Sequence, residues 1–142
     1  MTYCQGKTSD LPFAWAVDRT REALEDQGFG IITEIDVTNT FKQNPDLDFR
    51  PYVILGACNP KAAHEALLQE DKVGVMLPCN VIVQQRASGG GCEIAPVDPV
   101  ASMSVIQNPG MKAKAEEIGA SLRQPRPLPL RAGRTMVDAG AV

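Results

Sequence analysis

The amino-acid sequence predicts an α+β fold in which helices pack on one face of a single antiparallel sheet. From Phe29 to Val37 apolar and polar residues alternate, which is the pattern of a strand with one buried face. Apolar residues at helical spacing occur near the start and the end of the domain, and short apolar runs typical of strands lie between them. A sheet that covers the helices with one face buries all of these residues.

Composition and charge limit the classes of protein that this chain can belong to. It has 142 residues, 44% apolar and 22% charged, as expected of one globular domain. The formal net charge of −3 argues against a nucleic-acid partner, because nucleic-acid-binding domains are normally basic. No apolar run approaches the roughly 18 residues of a membrane span, and the N-terminus lacks a signal-peptide pattern. We therefore expect a cytoplasmic protein with no membrane partner.

The first helix is predicted over residues 10–27. Ser9 or Asp10 can cap it, Pro12 suits its first turn, and Gly28 ends it. The apolar spacing predicts one buried stripe on this helix, made of Phe13, Ala16, Val17, Thr20 and Leu24.

Five strands are predicted around that helix. They are a short edge strand over Tyr3 to Lys7, the alternating segment 29–37, a central strand Tyr52–Cys58, the segment Cys79–Gln85 and a short strand Cys92–Ala95. The segment Val73 to Leu77 is also predicted to be extended. Three consecutive glycines before Cys92 predict the turn that joins the last two strands.

Two further helices are predicted to begin at Asn-Pro pairs. Asn59 caps the first, which reaches about Glu70 and is expected to bury Ala63, Ala66 and Leu67. Asn108 opens the last helix. Its expected buried stripe is Met111, Ala115, Ile118 and Leu122. Between the last strand and the last helix, Asp98-Pro99 opens a short helix that reaches about Val105.

The composition changes near residue 122. Residues 1–122 are predicted to form the α+β domain, and residues 123–142 a Pro/Arg-rich C-terminal tail. Because Pro125, Pro127 and Pro129 exclude a long helix or a central strand, we expect this tail to be extended and largely outside the core.

Candidate chemistry centres on two cysteines and the single histidine. Cys58 precedes a helix start, Cys79 begins a strand, and His64 lies on the helix that follows Cys58. A thiolate–imidazole–thiolate set suits a zinc or copper ion, so Cys58, His64 and Cys79 are candidate metal ligands. Cys58, Asn59 and Cys79 are the candidate contacts for a small ligand or a sulfur species. No CxxC pair occurs, and any such site must be assembled by folding.

Other interpretations of the same residues remain open. Cysteine packs well as a small hydrophobe, so Cys58 and Cys79 can simply fill the core or a dimer interface. The protein would then be a dimeric module that binds a small ligand or a partner without using its thiols. Cys58 beside a nearby base would instead be a nucleophile, although a binding role is favoured over an enzyme. The neighbouring carboxylates of Glu34 and Asp36 are either an acid/base pair or part of a solvated strand face.

Four segments together resemble the DUF302 family. They are GFGIITEIDV from Gly28, RPYVILGACNP from Arg50, AHEAL from Ala63 and LPCNV from Leu77, and the resemblance covers roughly residues 2–122. It implies a β-α-β(4)-α arrangement, called TBP-like, that is commonly seen as a homodimer. The chain is similar to the cysteine-containing branch of the family. The family's function is uncharacterised, so the resemblance assigns no catalytic residue.

Overall fold

The computed structural model describes residues 3–123, which form a five-stranded antiparallel sheet with helices packed against it. The strands are β1 (Lys7–Ser9), β2 (Gly30–Asp36), β3 (Tyr52–Cys58), β4 (Cys79–Gln85) and β5 (Cys92–Pro96). They lie in the order β1-β5-β4-β3-β2, and every neighbouring pair is antiparallel. The predicted α+β class is confirmed.

Five α-helices and one 3-10 helix complete the described chain. They are α1 (Phe13–Asp26), α2 (Val37–Lys42), α3 (Pro60–Gln69), α4 (Pro99–Ser102), α5 (Pro109–Arg123) and the 3-10 helix Asp71–Met76. Across residues 3–123, no helix combines the length and the apolar character needed to cross a membrane.

One face of the sheet, which we call the covered face, packs under α1 and α5. The register of β3 with β4 aligns Val53 with Val83, Leu55 with Val81 and Ala57 with Cys79. All six side chains are buried, and they belong to core clusters that also contain Ala16 and Leu24 of α1 and Ile118 and Leu122 of α5. The intervening residues of both strands are on the opposite face, which we call the open face.

The alternation over residues 29–37 predicts that Ile31, Thr33 and Ile35 share the buried face of this strand. That prediction is wrong beyond Ile31, because a bulge lies between Ile31 and Thr33. The extra residue reverses which side chains point toward the helices. Glu34, aligned with Leu55, therefore lies on the covered face, where it forms an ion pair with Arg21 of α1. Ile35, aligned with Ile54, lies on the open face and is 48% exposed.

Two other local predictions need correction. The N-terminal strand is β1 at Lys7–Ser9, although Cys4 bridges Val97 in the same register. The segment 73–77, expected to be extended, lies mostly in the 3-10 helix, because Val73 turns into the core beside Ala66. Short apolar runs do not distinguish helix from strand by periodicity.

The sequence predicted the buried residues of α5 better than those of α3. Helix α5 buries all four of the predicted stripe residues. Helix α3 buries Ala62 and Ala66, because it packs on α5 and the 3-10 helix through this side. Of the other predicted residues, Ala63 is only half-buried and Leu67 is 42% exposed. The tail is predicted over residues 123–142, but Arg123 is the last residue of α5; the rest of that prediction lies outside the described residues.

Candidate thiol site

Cys58 is the last residue of β3 and comes directly before the N-cap of α3. The Asn59 side-chain oxygen accepts a hydrogen bond from the Ala62 amide at 3.2 Å, and Pro60 occupies the first helical position. This cap fixes the point at which the chain leaves the sheet. The Cys58 thiol is half-buried there, and the Asn59 oxygen is already committed to the helix.

Cys79 lies next to Cys58 at the same end of the sheet, but in a different environment. It begins β4 opposite Ala57, so Cys58 is its diagonal neighbour. Cys79 is only 4% exposed, and burial raises the pKa of its thiol to about 11. The charge that Cys58 carries when ionised raises the pKa of Cys79 further. Strand alternation nevertheless directs the two sulfurs toward opposite faces.

His64 does not join the two thiols. Ala62 and Ala66 of α3 face the core, and His64 lies midway between them on the exposed side of the helix. Within residues 3–123, no three His, Cys, Asp or Glu side chains form a group suited to a metal ion. The expected arrangement of Cys58, His64 and Cys79 around one ion is therefore not assembled, because the helix directs the imidazole into solvent.

The remaining cysteines lie elsewhere in the sheet. Cys92 is buried on the covered face, and its thiol donates a hydrogen bond to the Leu11 carbonyl oxygen at 3.4 Å. Burial raises the pKa of Cys92 as well. Cys4 is half-buried opposite Val97 near the other edge of the sheet. All four cysteines are free thiols.

The alternative catalytic arrangements lack the contacts that they require. Among the described residues, no hydrogen bond joins Cys58 to a side chain that would act as its base. Glu34 is engaged with Arg21, and the Asp36 carboxylate caps α2 by accepting a hydrogen bond from the Asn39 amide at 2.9 Å. The bulge also aligns Glu34 with Leu55 and Asp36 with Val53 of β3.

The sequence analysis missed a chain of polar side chains on the open face. Arg50 donates to the Gln84 side-chain oxygen from Nε at 3.1 Å and from Nη2 at 2.7 Å. The Gln84 amide then donates to Glu93 at 2.9 Å. Gly6 leaves room for this carboxylate, since a Cβ there would lie 2.6 Å from Glu93 Oε2. Only the register, which aligns Gln84 with Glu93, would have revealed the chain.

These features define a small α+β protein with one half-buried and one buried thiol at the same end of a strand pair. The family model described as "Domain of unknown function DUF302" matches residues 5–125. The chain belongs to the DUF302 family, as its sequence motifs predicted.

A solved structure supports the same assignment. The chain is similar to the crystal structure of an uncharacterized conserved protein DUF302 from Bacillus stearothermophilus, with 28% sequence identity and a TM-score of 0.80. The similarity covers 87% of this chain and 94% of that one. No curated protein matches the chain.

Proposed function

We propose that this cytoplasmic protein binds a soft metal ion, monovalent copper, through Cys58 and Cys79. The observation that carries the proposal is the pairing of Ala57 with Cys79, which makes Cys58 the diagonal neighbour of a second thiol. Thiolates are the protein ligands that soft ions prefer. Two sulfurs without a third ligand suit monovalent copper better than zinc, which takes four ligands in structural sites. His64 has no part in this proposal.

The two thiols would have different roles in binding. Cys58 is accessible and would meet the ion first. Strand alternation directs Cys79 toward the covered face, so it would supply the second sulfur only after the first residue of β4 rotates toward Cys58 and the thiol loses its proton. Because its pKa is raised to about 11, that deprotonation opposes binding at neutral pH. Copper affinity should therefore increase as the pH rises from 7 toward 9.

A competition titration tests this proposal. Reduced full-length protein, kept free of oxygen, is titrated with monovalent copper against the chromophoric chelator bicinchoninate. We expect one copper per chain and loss of tight binding in both Cys58→Ala and Cys79→Ala. Cys4→Ala is the matched control, because it removes a half-buried thiol outside the pair. His64→Ala should also bind normally. Equal losses in Cys58→Ala and Cys4→Ala would show that no specific thiol pair exists.

We also propose that the chain forms a homodimer through the open face. Ile35, Ile54 and Ile82 form an apolar row there on three adjacent strands, and none of the three is buried. Burying such a row against a second copy removes apolar area from water. Ile54→Asp should convert a dimer into a folded monomer in sedimentation velocity, whereas Leu68→Asp on the exposed side of α3 should not. A wild-type monomer at micromolar concentration would overturn the proposal.

A further inference from the structure

A cavity of about 570 Å³ lies between α4, the loop that follows it and the start of α5, away from both thiols of the candidate site. Met103 and Ala115, both buried, form part of its apolar wall together with the half-buried Ile106. A second cavity of about 430 Å³ adjoins it and shares Ile106 and Gln107. These volumes are in the range of sites that bind small molecules.

The charge in the lining of the larger cavity is positive. Lys112 is the single charged residue among the described residues that line it. No hydrogen bond or ion pair within residues 3–123 engages the Lys112 ammonium. Lys114, two residues later, differs in this respect, because it is paired with both Glu65 and Glu117. The cavity therefore combines an apolar wall with a cation that has no carboxylate partner within residues 3–123.

We propose that this cavity binds a small amphipathic carboxylate, with its hydrocarbon part against Met103 and Ile106 and its carboxylate at Lys112. The apolar wall accounts for the hydrocarbon part, and charge complementarity accounts for the anionic end. This site is independent of the proposed copper site, since its lining includes neither Cys58 nor Cys79.

Calorimetric titration of the full chain with octanoate tests the proposal. We expect binding by one octanoate per chain and weaker binding by hexanoate, roughly tenfold, because two methylene groups leave the apolar wall. Octan-1-ol and octylammonium should both bind more weakly than octanoate. Equal affinity for octanoate and octan-1-ol would overturn the assignment of a carboxylate ligand.

Two exposed variants locate the binding site. Lys112→Gln should weaken octanoate binding about threefold to fivefold, the range of an exposed ion pair, and should leave octan-1-ol unaffected. Lys42→Gln on α2 is the matched control for the lost charge. Gln107→Trp should fill the cavity entrance and abolish the binding of both compounds. Because Lys112 and Gln107 are exposed, both variants should fold, which circular dichroism can verify. Unchanged octanoate binding in Lys112→Gln or Gln107→Trp would refute the site.

Discussion

The covered and open faces of the sheet are formed by the same strands, but they give a thiol group different environments. On the covered face, burial keeps the Cys79 thiol protonated by raising its pKa to about 11. One residue further along the neighbouring strand, Cys58 belongs to the other face and is half-buried. The open face also carries the Arg50–Gln84–Glu93 chain of hydrogen bonds, whereas the centre of the covered face is apolar. The difference indicates that the covered face is the apolar core of the protein, whereas the open face keeps polar and partly accessible groups.

The largest expected effect comes from a cavity on the covered face. Leu55 is fully buried, so Leu55→Ala should lower the free energy of unfolding by about 2–5 kcal/mol. Urea denaturation followed by circular dichroism measures this loss. Leu68→Ala is the control, since Leu68 is 74% exposed and its truncation should cost less than about 1 kcal/mol. Equal losses in the two variants would remove the distinction between core and surface.

A smaller effect is expected where the open face is tightly packed. A Cβ on Gly56 would collide with Thr33 Oγ1 and would lie 2.8 Å from Pro78 Cγ. Gly56→Ala should therefore destabilise the protein by about 1–3 kcal/mol, as overpacking does. Adding Thr33→Ala removes one of the two collisions and should restore part of the loss. A fully stable Gly56→Ala variant would show that the open face has room at this position.

The pH dependence of stability distinguishes the two thiols. The pKa of Cys79 is raised from about 9 in the unfolded chain to about 11 in the folded protein, so the folded state retains a proton that the unfolded state has lost. Its contribution is complete below pH 9 and disappears as the pH rises toward 11, with a slope of at most about 1.4 kcal/mol per pH unit.

Denaturation from pH 8 to 11 measures that slope. Cys79→Ala should show a shallower decrease in the free energy of unfolding than the wild type. Cys58→Ala should keep most of the wild-type decrease, because burial is the larger cause of the raised Cys79 pKa and the Cys58 charge the smaller one. If the slope is unchanged in Cys79→Ala, another group causes the pH dependence and Cys79 is not held protonated by burial.

Much of this fold was predictable because the helix and strand patterns in the sequence agree with the packing of the folded protein. β3, β4 and the stripe of α5 follow from apolar spacing and from Asn-Pro helix starts. The bulge in β2 was not predictable, because a single extra residue leaves no pattern in the sequence.

The candidate site was predictable only in part. Strand boundaries brought Cys58 and Cys79 to the same end of the sheet. His64 failed as a ligand because the rotation of α3 depends on which alanines pack against α5 and the 3-10 helix. The cavity beside Lys112 was not predictable, because it lies between α4, the loop that follows and the start of α5, and no sequence motif links these segments.

Site-resolved alkylation tests the central claim, that the Cys58 thiol is accessible to a soft ion whereas burial keeps the neighbouring Cys79 thiol protonated. Reduced native protein is treated with iodoacetamide at pH 7.5, with and without one equivalent of monovalent copper, and each cysteine is followed by mass spectrometry. Cys58 should be alkylated much faster than Cys79, and copper should protect Cys58 while Cys4 continues to react. Equal rates at Cys58 and Cys79, or copper protection of Cys4 instead of Cys58, would contradict this account.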